Sequence, residues 1–235
     1  MRNPIRPTEA LGALRRLIAN PEATEEVFTV LRSLDGRLIE RLHERVRATP
    51  AGRRLLAERP DLIAILADRA RLAAMPEGSL GREYLAFCDR EGITPGGLVE
   101  ASDHPDRQTL DPELLWLANR LRDSHDLWHV VTGCRSDLGG ELGLLAFTTA
   151  QTRSVGTATL VAAGYARSFT LPGEIGAGGR QLARSMFVRG LRAEWLPVAD
   201  WEALLPLPLA QVRARLGVEP VPPYQPFYTA DLARN

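Results

Sequence analysis

An all-α fold, a single-domain irregular bundle of about ten helices, is what this sequence predicts, on three observations. Apolar residues recur at spacings of three and four almost everywhere along the 235 residues, the period of a helix that buries one face. Alternation with period two over a strand's length is hard to find. Helix-start signals repeat, each joining a capping side chain to a proline suited to the first helical position and an acid facing the helix dipole.

Periodicity alone places helices near 7–19, 37–48, 60–74, 154–168 and 174–192. Asn20-Pro21-Glu22 starts one over 21–33, Ser79 one over 80–91, and Asp111-Pro112-Glu113 one over 112–132. Gly133 is the expected left-handed residue that ends the last of these, Ser136 or Asp137 caps a helix over 138–151, and Asp200 caps one over 200–216. Between helices, 91–110 holds Gly92, Pro95, Gly96, Gly97, His104 and Pro105 and reads as an active-site loop. Residues 1–217 form one domain, and 218–235 a proline-rich extended tail, ordinarily a surface arm, because prolines cannot donate to a helix.

The 29 basic residues balance 29 acidic ones, so no global field favours nucleic acid, and no nucleic-acid partner is expected. Every base is arginine; without lysine, a Schiff-base mechanism and a P-loop are excluded. Cys88 and Cys134 stand far apart with no Cys-x-x-Cys, as in a reduced cytosolic protein. Residues 1–21 lack the hydrophobic centre of a signal peptide, and no window reaches the ~18 uncharged apolar residues of a spanning helix. The expected location is cytoplasmic, with peripheral contact at the inner face of the membrane.

The stretch that carries chemistry runs Arg122-Asp-Ser-His-Asp-Leu-Trp-His-Val-Val-Thr-Gly133, then Cys134-Arg-Ser-Asp-Leu-Gly-Gly-Glu141. His125 and His129 are four apart on a predicted helix, one turn above each other, the arrangement by which two imidazoles chelate one ion. Asp126 joins that face, and Arg122 extends the stripe by a turn. Leu114, Leu117, Leu121, Trp128 and Val131 form an apolar stripe beside it. Glu141 cannot join along a straight helix, since at roughly 1.5 Å per residue it would lie about 18 Å from His129. It can join if the chain turns at Gly133 and the next helix folds back antiparallel, with Gly139 and Gly140 allowing close approach. A polar helix face without metal remains the plainer alternative on spacing alone.

His125-Asp126-x-x-His129, eleven residues, then Glu141 resembles the signature of the ubiquinone (coenzyme Q) biosynthesis protein 4 family at every position. Leu72-Ala-Ala-Met-Pro-Glu-Gly-Ser-Leu-Gly-Arg-Glu-Tyr84 resembles that family's second characteristic stretch, and Asn3-Pro-Ile-Arg with residues 20–28 its start. The likeness covers roughly residues 3–217, and Arg122 agrees with it. The resemblance implies an all-helical protein that binds a divalent metal, usually zinc, through His125, Asp126, His129 and Glu141. It implies action on polyprenylated benzoate precursors of ubiquinone, an oxidative decarboxylation replacing carboxyl by hydroxyl at the first ring carbon. It also implies other ubiquinone-biosynthesis enzymes as partners and an organising role among them; a homodimer is expected.

Zinc has no redox states, whereas two histidines and a carboxylate with open positions are the usual ferrous arrangement, so iron(II) or manganese stays open. Arg122 either grips the departing carboxylate bidentately or pairs at the surface with Asp126 or Asp123. The small-residue stretch 154–166 either leaves room for an isoprenoid tail or marks close helix packing. Arg180, Arg184, Arg189 and Arg192 flank Met186, Phe187, Val188 and Leu191, which suits a membrane surface or a solvated face. Two further classes compete: a metal phosphohydrolase with His104 as upstream ligand, and a non-catalytic prenyl-lipid scaffold with structural zinc. A zinc protease is weakest, because Asp126 stands where His-Glu-x-x-His needs its glutamate base.

Overall fold

The computed structural model describes residues 4–105, 110–222 and 224–228. Helices occupy Pro7–Ala19 (α1), Thr24–Leu34 (α2), Leu38–Ala48 (α3), Pro50–Glu58 (α4), Leu62–Ala67 (α5), Arg69–Ala73 (α6), Leu80–Glu91 (α7) and Pro95–Ser102 (α8). They continue with Pro112–Asp123 (α9), His125–Thr132 (α10), Leu138–Thr152 (α11), Val155–Arg167 (α12), Gly173–Arg192 (α13), Trp201–Leu204 (α14) and Leu209–Leu216 (α15). Among the described residues there is no strand, only an isolated bridge between Ser79 and Pro208. The fold is all-α.

Local signals account for most boundaries. Asp111, Ser79, Asp137 and Asp200 each accept a backbone N–H of the helix they start, from Glu113 at 2.8 Å, Arg82 at 3.4 Å, Gly139 at 3.1 Å and Ala203 at 3.2 Å. Such a cap stabilises a helix by about 1 kcal/mol. Gly133 takes the left-handed conformation, φ +78°. Asn20 behaves otherwise: its side chain accepts from Glu22 N–H at 3.2 Å in a local turn, and α2 begins only at Thr24.

Several long periodic stretches are broken. Asp68 splits 60–74 by accepting from Arg71 N–H at 2.9 Å and so starting α6. Ser124 separates α9 from α10, yet its N–H reaches Arg120 O at 3.0 Å and its carbonyl takes Trp128 N–H at 3.1 Å, so the path stays nearly helical. Pro206 and Pro208 lie between α14 and α15, where they remove two donors. Two helices stand where none was expected: α4, capped by Thr49 on Gly52 N–H at 2.9 Å, and α8, with Pro95 in its first turn, inside the stretch read as a loop.

The helices gather into two compact units. The first comprises Arg37–Val131 and Glu194–Val218. Its core joins Leu42, Val46, Leu56 and Leu117, with Trp195 and Val198 packed against them; full burial of each such side chain stabilises by roughly 1.5–3 kcal/mol. Three polar ties fix the elements around the site. Arg120 grips Glu202 bidentately at 2.7 and 2.8 Å and reaches Ala199 O at 3.0 Å. The start of α7 is pinned by Leu80 N–H to Leu207 O at 2.9 Å and Gly81 N–H to Leu205 O at 2.8 Å. Arg213 donates to the carbonyls of Val130 and Val131, each at 2.9 Å, supplying the end of α10 with the partners a helix terminus lacks.

The second unit draws on Arg2–Gly36, Thr132–Ala193 and Glu219–Asn235. Ala13, Val30 and Leu160 bring α1, α2 and α12 together, with Leu17, Leu31 and Leu145 against them. The Asp35 carboxylate accepts from Ser154 Oγ at 2.7 Å and Gly156 N–H at 2.8 Å, so α2's end holds α12's start. A Cβ on Gly156 would lie 2.8 Å from Leu31 Cα, and one on Gly164 2.8 Å from Leu142 Cδ1. At these two positions the small residues serve close packing rather than a tail channel. The described part of the tail is tethered: Val221 N–H reaches Thr132 O at 2.8 Å, Phe227 O accepts from Leu138 N–H at 2.9 Å, and Val221 and Phe227 are buried.

Candidate metal centre

Helix α10 places three chemistry-bearing side chains together. One ligand-type atom from each of His125, Asp126 and His129 lies within 4.8 Å of the others, the group of this kind among the described residues. His125 Nδ1 and Asp126 Oδ1 are 3.0 Å apart, a contact that fixes an imidazole's orientation in the manner of carboxylate–histidine metal sites. The two imidazole rings meet edge-on, centroids 4.8 Å apart at 74°. His129 is 1% exposed and Asp126 7%, whereas the His125 side chain is 31% exposed, so His125 forms the open edge. Two imidazoles and one carboxylate fit a divalent ion such as zinc, iron(II) or manganese, with coordination positions left for solvent or substrate.

The support comes from a helix that periodicity in α10 could not reveal. Helix α7, capped by Ser79 and ended by Gly92 at φ +67°, lays the Phe87 ring on His129, centroids 5.4 Å apart at 22°. Tyr84 and Cys88 share that face of α7 and are buried. Helix α7 itself was expected over 80–91 from its Ser79 cap; what the sequence did not show is that its Phe87 packs on His129. Burial, the larger cause, pushes the Cys88 thiol up to about 11 and the Cys134 thiol up to about 12. Both stay protonated at neutral pH and are poor nucleophiles.

The other candidates are placed as follows. Arg122 is half-buried and pairs with Asp123, one of the two partners expected for it: its Nε donates to Asp123 Oδ1 at 2.8 Å and its NH1 to Ser102 Oγ at 3.1 Å, with its side chain 10% exposed. His104, half-buried before Pro105, is not in the group of three. Glu141 belongs to the second unit, in the first turn of α11, where its N–H donates to Asp137 O at 2.8 Å. Gly140 is a close-approach position, but to different atoms from those expected. A Cβ there would stand 2.0 Å from Arg135 O and 2.5 Å from the Tyr224 hydroxyl, so the connecting turn and the tail require the glycine.

The family model described as Coenzyme Q (ubiquinone) biosynthesis protein Coq4 matches residues 8–222. The chain is 33% identical over 195 residues to the mitochondrial ubiquinone biosynthesis protein COQ4 of Pyricularia oryzae, covering 78% of this chain and 58% of that one. It is 32% identical over 143 residues to the mitochondrial COQ4 homolog of Homo sapiens, 61% of this chain and 52% of that one. It thus spans between about half and three-fifths of these curated relatives' length. A crystal structure from Nostoc punctiforme, of a protein assigned to ubiquinone biosynthesis, shares the fold with a TM-score of 0.68 at 23% identity, over 90% of this chain and 98% of that one. The curated relatives are named as mitochondrial, which overturns the cytoplasmic expectation. That expectation leaned on the composition of residues 1–21 and on two distant cysteines, neither of which bears on an organellar address, whose leaders are amphipathic and arginine-rich. Motif, helical frame and a match over residues 8–222 agree, and the chain belongs to the coenzyme Q (ubiquinone) biosynthesis protein Coq4 family.

Proposed function

We propose that this chain holds one divalent ion on His125, Asp126 and His129 and acts in coenzyme Q biosynthesis on a polyprenylated benzoate precursor. The reaction proposed is replacement of the ring carboxyl by hydroxyl. One atom of dioxygen becomes the phenol oxygen and the carboxyl leaves as carbon dioxide. The second oxygen atom leaves as water, taking two electrons and two protons from a two-electron donor. The observation that carries this reading is the pair of imidazoles and the carboxylate within 4.8 Å in a chain of this family. When bound, the ion supplies a Lewis-acid seat for an oxygen of the electron-rich ring.

The chain's own groups have separable roles. Asp126 orients the His125 ring, Phe87 holds His129 in place, and the exposed edge of His125 is the side of entry. The family motif adds Glu141 as a ligand by sequence spacing. A carboxylate clamp by Arg122 requires that its bonds to Asp123 and Ser102 be shared or given up. For a lipid-borne substrate, the second unit offers the outer face of α13. There Phe187, Val188 and Leu191 are exposed at 40%, 42% and 62%, with Arg184 and Arg192 exposed beside them. Exposed apolar side chains ringed by arginine suit an anionic membrane surface.

Metal analysis of protein purified without added ions tests the ion: content should collapse in His129→Ala and fall in Asp126→Asn, and full occupancy of His129→Ala sinks the site. Cells that depend on this protein should accumulate a prenylated benzoate still carrying its carboxyl when His125 is replaced by alanine. If a folded, metal-free Glu141→Gln protein restores full quinone production, only an organising role among the biosynthetic enzymes remains.

A further inference from the structure

Tyr84 is 1% exposed, and its buried hydroxyl has no oxygen or nitrogen partner, only the Cys88 thiol within reach. Buried polar groups are almost always satisfied, so an exception in a native fold asks for an explanation. The polar neighbour on its own helix is the Cys88 thiol one turn on, and sulfur is a weak partner. Helices α7 and α10 meet at this point. Phe87 of α7 stacks on His129 of α10, and three residues earlier on each helix stand Tyr84 and Asp126. The charge of Asp126 is felt at Tyr84: after burial and the Cys88 thiolate, it pushes the phenol further above its ordinary range. The group therefore remains an O–H donor at every working pH.

We propose that Tyr84 is the specificity-determining donor of the cation site, its phenolic O–H bonding an oxygen atom held on the ion. That oxygen belongs to water in the resting protein and to the carboxylate or phenolate of an aromatic hydroxy acid when one is bound. The proposal rests on the reading that His125, Asp126 and His129 hold an ion, and it deepens it: an acceptor oxygen satisfies the orphan hydroxyl, and a ligand without one leaves it unpaired.

The test uses the full chain with Co²⁺ as probe ion and 4-hydroxybenzoate as probe ligand, both read from the visible absorption of bound cobalt. Tyr84→Phe should bind Co²⁺ as the parent does and melt, metal-free, at or above the parent's temperature, since an unpaired buried hydroxyl has been removed. Its affinity for 4-hydroxybenzoate should fall about tenfold, the loss of one hydrogen bond. Equal benzoate affinity in the two cobalt-loaded proteins overturns the role of Tyr84 while leaving the ion site standing, and so does a parent that binds cobalt but no benzoate. A metal-free Tyr84→Phe protein that melts several degrees lower, or does not fold, also overturns it, because the hydroxyl would then serve the fold. A parent that binds no Co²⁺ overturns the ion reading and this proposal together.

Discussion

The phenol of Tyr224 donates to the Asp137 carboxylate across 2.6 Å, joining residues 87 apart in sequence. The same carboxylate caps α11 through Gly139 N–H at 3.1 Å and accepts Phe227 N–H at 3.0 Å, while Tyr224 Oη accepts Arg135 N–H at 2.9 Å. One buried acid thus ties the extended tail to the first turn of the helix that carries Glu141. Burial, then this bond, pushes the Tyr224 phenol well above its ordinary range, so it remains a donor.

Tyr224→Phe should therefore lower stability by about 1–3 kcal/mol, the cost of stranding a buried partner. Limited proteolysis should cut the tail sooner in the variant than in the parent. Equal cleavage rates and equal denaturant midpoints would show that the tail is held by its apolar residues alone.

Gly140→Ala should disturb the same knot from the other side, since its Cβ would meet Arg135 O at 2.0 Å and Tyr224 Oη at 2.5 Å. A loss of about 2 kcal/mol or more is expected, as for overpacking against backbone. Gly139→Ala is the control, its Cβ falling 3.1 Å from the Asp137 carboxylate. Thermal melts in which the two variants behave alike would contradict this account.

Glu202→Gln should be among the most damaging polar changes in the first unit. Arg120 is 3% exposed, and its fork holds that carboxylate and Ala199 O. Leaving a buried guanidinium without its counter-charge costs about 3–5 kcal/mol. Chemical denaturation checks it; a shift below about 1 kcal/mol, the range of an exposed pair, refutes it.

Glu113 supplies a pH dependence. It accepts from His43 and, at 2.9 Å, from Arg59, and these bonds, His43 first, hold its carboxyl below the usual range. A depressed carboxylate pKa adds stability above the unfolded value, about 4.3 for glutamate, and that stability is lost as pH falls through the folded value. Glu113→Gln should thus be slightly less stable than the parent at pH 7, by less than about 1 kcal/mol because the pair is part-exposed. The difference should close as pH drops below about 4. A gap that widens in acid would reverse the assignment.

The parts of the fold that the sequence made legible are those decided locally. Asp111, Ser79, Asp137 and Asp200 cap because a short acceptor precedes an apolar run, and Gly133 turns the chain because it lacks a Cβ. Asn20 misled because asparagine closes a turn on its own backbone as readily as it caps a helix. Asp68 and Ser124 interrupt runs whose apolar period continues across the break. At the site, His125, Asp126 and His129 were legible because helical spacing alone brings them together. Arg122 sat on the same stripe, but its long side chain turned to Asp123 and Ser102. Phe87 reaches α10 only through tertiary packing, which no period along one helix encodes.

The interleaving of the two units fixes an order of events during synthesis. Residues 2–36 belong with 132–193 and 219–235, while 37–131 belong with 194–218. Helices α1 and α2 leave the ribosome ahead of Leu160, which completes their cluster with Ala13 and Val30 and emerges on the order of ten seconds later at bacterial or eukaryotic translation speeds. Until then the apolar faces of the first two helices stay uncovered. The nascent chain passes through a stage in which α1 and α2 wait on much younger segments, and neither unit can be released as one continuous fragment by cutting the gene at two points.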